Sequence, residues 1–107
     1  MKKIFLTITL GLLILGVQGY AFAHTPICSC YENGDGTITC EGGFSNGASA
    51  AGVEMKVTDA GGKILIKGKM DDLSEFHFKK PAGKFKIIFF AGEGHSLEID
   101  SEEVEEE

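Results

Sequence analysis

Residues 53–100 alternate between apolar and polar side chains with a period of two, and no segment after residue 23 keeps a helical period over three turns. A period of two is typical of a β-strand that buries one face. Such segments occur at 53–57, 64–66, 76–78, 85–89 and 97–99. Gly-, Pro- and Asp-rich stretches at 59–62 and 81–83 separate them as turns. The pattern predicts an all-β domain.

The same alternation predicts the core, because every second side chain of each strand points inward. The expected core residues are Val53, Met55, Val57, Ile64, Ile66, Phe76, Phe78, Phe85, Ile87, Phe89, Leu97 and Ile99. Six or seven short strands with turn signals every 8–12 residues are typical of a small two-sheet β-sandwich. The sandwich body is expected over residues 51–101 as a single domain with the segment 24–50 that precedes it.

The segment 24–50 carries all three cysteines and a hairpin signal. Asn33-Gly34-Asp35-Gly36 lies between two short runs that are suited to strands, 27–31 and 37–41. A loop of three residues at 34–36 pairs Cys30 with Cys40, whereas a loop at 32–36 pairs Cys28 with Cys40. Both disulfides remain open at this point, and the first is favoured. An odd number of cysteines leaves one thiol for metal binding, for another chain or unpaired.

Residues 1–23 have the pattern of a removable signal peptide. Lys2 and Lys3 precede an apolar run over 4–17, which is shorter than the roughly 20 residues that span a bilayer. Small residues at Ala21 and Ala23 suit a signal peptidase, so cleavage is expected after one or the other. The chain is therefore predicted to be periplasmic or secreted, with no stable membrane insertion after cleavage, and disulfide formation is expected there.

Charge limits the partners of the mature chain. The formal net charge is −6, there is no Arg or Trp, and removal of the signal peptide takes away two lysines. Such an acidic domain repels nucleic acid and anionic lipid but is compatible with cations. The residues 102–107 form an acidic tail, and their run of like charge predicts a frayed, solvated end.

His24 is the most informative of the three histidines because of its position at the predicted cleavage site. Cleavage after Ala23 gives it a free α-amine beside its imidazole, and these two nitrogens chelate one metal ion. Cleavage after Ala21 instead makes it the third residue after a free amine, an arrangement that binds Cu(II) or Ni(II) in a square plane. Either cleavage site predicts an N-terminal chelate.

Other side chains are expected to complete the site. His95 lies in the glycine-rich segment 91–96 and is the natural second ligand, whereas His77 alternates with inward-facing residues and ranks third. Cys28 and Cys30 are close enough to residue 24 in sequence to supply a thiolate to the same ion. No nucleophile elbow, phosphate loop or zinc-protease helix is present, so the chain is predicted not to be an enzyme.

Four stretches of the sandwich body carry a family resemblance: 52–57, 61–63, 74–78 and 81–87. Together they resemble a carboxypeptidase regulatory-like, or transthyretin-like, sandwich, with Ser74 where those domains usually have Gly. The segment 91–96 and the start at 23–24 resemble small periplasmic accessory proteins of nickel and cobalt uptake transporters of the energy-coupling-factor type. The resemblance implies that His24 and His95 handle a divalent metal, and that a membrane metal permease is the partner.

The leading expectation is therefore an exported metal-binding accessory protein for nickel, cobalt or copper. Nickel and cobalt come from the resemblance, and copper suits the ligand chemistry equally. Two alternatives stand beside it: a non-catalytic surface or periplasmic interaction module with a structural disulfide, and an exported thiol-redox protein that uses the odd cysteine.

Overall fold

The computed structural model describes residues 25–106; the predicted signal peptide, both cleavage positions and His24 lie outside this range. The described chain is nearly all β. Its elements are β1 (Pro26–Glu32), β2 (Thr37–Phe44), β3 (Glu54–Asp59), β4 (Ile64–Lys69), β5 (Glu75–Lys79), β6 (Phe85–Phe90), β7 (Ser96–Asp100), a 3₁₀ turn (Ser101–Glu103) and β8 (Glu105–Glu106). The all-β prediction is confirmed, and the seven predicted strands are all present.

The strands form two four-stranded sheets that pack face to face. One sheet has the order β5-β2-β1-β8 and the other has the order β4-β3-β6-β7. Aromatic rings join the two layers: the Phe78 and Phe85 ring centroids are 6.5 Å apart, and those of Phe44 and Phe89 are 6.1 Å apart. Because these pairs link one sheet to the other, the domain is a two-sheet sandwich around one core.

The core agrees with the predicted set at most positions but not at all of them. Met55, Val57, Phe78, Phe85, Ile87, Phe89 and Ile99 are buried, and Val53, Ile66, Phe76 and Leu97 are half-buried against them. Ile64 is 51% exposed, so its assignment to the core is wrong. The register of β3 and β4 shifts between Val57 and Thr58, which pairs Ile64 with Thr58 on an edge strand instead of extending the inward row.

The first sheet supplies core residues that the alternation of 53–100 does not include. Cys30, Ile38 and Cys40 are buried on the inner face of β1 and β2, and Ala50 and Met70 join them from loops. The hairpin register is the one expected from a loop at 34–36, because Cys30 lies opposite Cys40. Asp35 shapes this loop by accepting hydrogen bonds from the hydroxyl and the amide of Thr37, and these bonds lower the pKa of its carboxyl.

The acidic tail differs from expectation. Glu105 and Glu106 pair in parallel with Tyr31 and Glu32 of β1, and Val104 packs against the core, so the prediction of a frayed end is wrong for the described residues. Backbone hydrogen bonds between strands do not depend on the charge of the side chains. Val104, the one apolar residue among the glutamates, anchors the segment to the core. The glutamate side chains remain exposed, as expected of a charged run.

Gly42 of β2 marks a place where the sandwich has no room for a side chain. A Cβ atom at this position would lie 2.7 Å from Met70 Sδ and 2.7 Å from Phe89 Cε2. We expect Gly42→Ala to lower the free energy of unfolding by about 1–3 kcal/mol, because Met70 and Phe89 must both leave their packed positions. Urea unfolding followed by circular dichroism measures this change.

Gly43 is the matched control, because a Cβ atom there would meet nothing closer than 3.8 Å, the backbone oxygen of Ala48. Gly43→Ala should change the free energy of unfolding by no more than about 0.5 kcal/mol. Equal effects at the two neighbouring glycines would contradict the packing described for Gly42.

Candidate functional site

The described chain begins at one end of the sandwich, beside the end of β2. The Thr25 amide donates a hydrogen bond to Ser45 Oγ at 3.0 Å, and the Ser45 amide donates to the Thr25 carbonyl at 2.9 Å. Pro26, the first residue of β1, lies opposite Phe44, the last residue of β2. His24 itself lies outside the described residues, but the residue bonded to it is fixed at this end of the hairpin.

His95 belongs to the loop that joins β6 to β7. Gly92 and Gly94 take positive φ values of 122° and 76°, which only glycine adopts readily, and the His95 amide donates to the Gly92 carbonyl at 3.0 Å. His95 is exposed, and its Nδ1 lies 3.1 Å from the Glu93 carbonyl oxygen. A carbonyl only accepts, so the neutral ring carries its proton on Nδ1 and keeps a lone pair on Nε2, which a metal ligand needs.

Thr25 and His95 lie at the same end of the sandwich. Phe44, Ala48, Ala91 and His95 line one open hollow of about 300 Å³. Phe44 precedes Ser45, the residue to which Thr25 is hydrogen-bonded. The hollow therefore joins His95 to the end of β2, beside which the described chain begins.

The cysteines lie deeper, on the inner face of the first sheet. Cys30 and Cys40 form a disulfide with their Cα atoms 4.0 Å apart, so the favoured pairing is present and the Cys28–Cys40 pairing is not. Cys28 is a free thiol two residues before Cys30 and points to the same side of β1. Burial raises the pKa of Cys28 to about 11, which is the opposite of the low pKa that a reactive redox thiol needs.

His77 lies in a group of potential ligands that the sequence pattern did not bring together. Its Nε2 is 3.1 Å from Glu75 Oε1 and 3.9 Å from Asp71 Oδ2, on the outer face of the edge strand β5. Its Nδ1 is 2.9 Å from Thr39 Oγ1. Glu75 and His77 are two residues apart in a strand, so the sequence alone predicts that they share a face. Asp71 approaches them from a turn, and nothing in the sequence predicts that contact.

The row formed by Thr39, His77 and Glu75 has the order of a hydroxyl, an imidazole and a carboxylate. Thr39 is only 4% exposed, and its hydroxyl also bonds to the side chain of Asn33. A buried and doubly bonded hydroxyl is not accessible to a substrate, so this row orients the ring of His77 and does not supply a nucleophile.

Within residues 25–106, no helix is long and apolar enough to cross a membrane. Comparison with known proteins adds no relative: no protein-family model, curated protein or solved structure matches the chain.

Proposed function

We propose that this chain is an exported metal-binding accessory protein that holds a divalent transition metal ion at the end of the sandwich marked by Thr25 and His95. The α-amine and imidazole of His24 form a chelate, and His95 Nε2 adds a third nitrogen. Nickel, cobalt and copper all suit a set of nitrogen ligands. In this proposal the chain works in the periplasm, handles the ion before or during import, and has a membrane metal permease as its partner.

The observation that carries this proposal is the common location of two residues that are far apart in sequence. Thr25 is hydrogen-bonded to Ser45, and the neighbouring Phe44 lines the same hollow as His95. Residue 24 is bonded to Thr25, and because consecutive Cα atoms are about 3.8 Å apart, the proposal requires only that its amine and ring reach this hollow. Had the loop 91–95 been at the opposite end of the sheets, a shared ion would be impossible.

The ring of His95 adds a second argument. The hydrogen bond from Nδ1 to the Glu93 carbonyl orients the imidazole and selects the tautomer with an unprotonated Nε2. Metal-binding histidines commonly have such a partner on the second nitrogen. The acidic character of the chain, with a formal net charge of −6, also raises the local concentration of cations.

Titration of the mature protein with Ni(II) and Cu(II), followed by calorimetry, tests the proposal. The protein is secreted and processed by the cell, and mass spectrometry establishes its first residue. We expect His95→Ala to weaken the affinity about tenfold or more, since one of three nitrogen ligands is lost. Acetylation of the terminal amine should weaken it at least as much.

His77→Ala is the matched control, since it removes a histidine from the group on the opposite sheet edge. We expect its Kd to stay within about twofold of that of the unmodified protein. The proposal fails if the amine-blocked protein binds both metals as tightly as the free protein. It also fails if His77→Ala abolishes binding while His95→Ala does not, because the metal would then lie beside Glu75.

A further inference from the structure

Three sulfur atoms lie close together on the inner face of the first sheet. The Sγ atoms of Cys28, Cys30 and Cys40 all lie within 4.8 Å of one another, and two of them form the disulfide. Cys30 is 3% exposed and Cys40 is fully buried, while Cys28 is half-buried against the same core. A disulfide alone needs two of these residues, so the position of the third sulfur calls for an explanation.

A fourth sulfur lies over the strand position opposite Cys28. Gly42 is opposite Cys28 in the β1–β2 ladder, and the Sδ atom of Met70 takes the space that a side chain on Gly42 would fill, 2.7 Å from the Cβ position. Met70 is itself 3% exposed. The absence of a side chain at Gly42 thus leaves room for a thioether over the position opposite Cys28.

The spacing of the cysteines suits a metal ion bound by sulfur. In a tetrahedral zinc site each Zn–S bond is about 2.3 Å long, which separates the sulfurs by about 3.8 Å. The two Cys28 distances already fall under 4.8 Å. Once the disulfide is reduced, Cys30 and Cys40 lie on adjacent strands with Cα atoms 4.0 Å apart, and rotation about their χ1 angles separates the sulfurs.

We infer that reduction of the Cys30–Cys40 disulfide opens a buried site for a soft, thiophilic metal ion, held by the thiolates of Cys28, Cys30 and Cys40 with Met70 beside them. The reductant is a dithiol, which transfers two electrons and two protons to the bridge and becomes a cyclic disulfide. Metal binding then releases one proton from each of the three thiols. Thiolate and thioether ligands favour Cu(I) among biological metals.

The oxidised protein does not present this site, because the disulfide occupies two of the three ligands. The disulfide and the bound metal are therefore alternative states of the same residues. This site is separate from the nitrogen site proposed at the Thr25 end, since none of its ligands is a histidine or an amine. Either site can fail without the other.

The experiment uses Cd(II) as a probe, because each thiolate–Cd(II) bond adds absorbance in the ultraviolet. The mature protein is reduced anaerobically by a phosphine, which takes oxygen from water and becomes the phosphine oxide. We expect the charge-transfer band to saturate at one Cd(II) per reduced chain. The oxidised chain should give no band under the same conditions.

Cys28→Ser is the decisive variant, since it removes the third sulfur and leaves the disulfide partners in place. When reduced, it should bind Cd(II) about 100-fold more weakly than the reduced parent. His95→Ala with a blocked amine should keep the full band, which separates this result from the nitrogen site. Equal binding by the parent and Cys28→Ser, or no band in the reduced parent, overturns the inference.

Reduction of the disulfide also lowers the stability of the fold. The same titration therefore records the far-ultraviolet circular dichroism spectrum and the dispersed methyl signals in the proton NMR spectrum. A reduced chain that keeps or recovers the β spectrum as Cd(II) binds supports a site built by the fold. A band that forms while the chain remains unfolded overturns it, because any unfolded chain with three thiols binds Cd(II).

Discussion

Replacement of Phe89 by Ala should lower the free energy of unfolding by about 3–5 kcal/mol, because a fully buried aromatic side chain is lost and a cavity remains. Phe89 is 0% exposed on the inner face of β6 and stands against the Phe44 ring of the opposite sheet, with centroids 6.1 Å apart. Domains of this size have total stabilities of roughly 5–15 kcal/mol. Urea unfolding monitored by circular dichroism measures the loss.

The adjacent residue provides the control. Phe90 is 38% exposed on the outer face, where Lys56 Nζ lies 5.8 Å from its ring centroid. Phe90→Ala should cost less than about 1 kcal/mol, since it removes one exposed ring and a weak cation–π contact. If the two phenylalanine variants lost similar stability, the assignment of inner and outer faces to β6 would be incorrect.

Removal of the disulfide by the double substitution Cys30→Ala and Cys40→Ala should cost about 3 kcal/mol. The bridge joins residues separated by 10 positions, and loss of the cross-link restores freedom to a loop of that length in the unfolded chain. Both residues are also buried, so the substitution leaves unfilled space in the core. The unfolding midpoint in urea, with and without dithiothreitol, measures the effect.

Dithiothreitol should lower the stability of the parent protein and leave that of the double variant unchanged. This comparison separates the contribution of the covalent bridge from that of the packing of the two cysteine side chains. Cys28→Ala keeps the disulfide and truncates a half-buried side chain, so it should cost about 1 kcal/mol. A double variant as stable as Cys28→Ala would show that the bridge contributes little to folding.

Much of the fold was predictable because a strand with one buried face has apolar and polar residues in alternation. The alternation around Met55, Val57 and Phe89 depends only on which face is buried. The Cys30–Cys40 pairing is the favoured one of the two that the hairpin loop left open. Ile64 was misassigned because a register shift in β3 and β4 has no counterpart in the local pattern. The tail was misassigned because its parallel pairing with β1 is a contact between distant parts of the chain.

The candidate sites were less predictable than the fold, for a related reason. A histidine can be recognised as a ligand from sequence only when its partners are a fixed number of residues away. Asp71 reaches His77 across a turn, and Phe44 shares a hollow with His95 only because two different sheets pack together. The cysteine cluster was predictable in part. The spacing of Cys28 and Cys30 places them on one face of a strand, but nothing in the sequence predicts the position of Met70 over Gly42.

The parallel pairing of β8 with β1 has a practical consequence. Glu105 and Glu106 lie beside Tyr31 and Glu32, at the far end of the strand that begins at Pro26. With about 3.3 Å per residue, roughly 20 Å separates these two ends. A tether attached beyond Glu106 would hold the molecule on a chip or bead with the His95 loop facing solution, whereas an affinity tag before Thr25 would cover it.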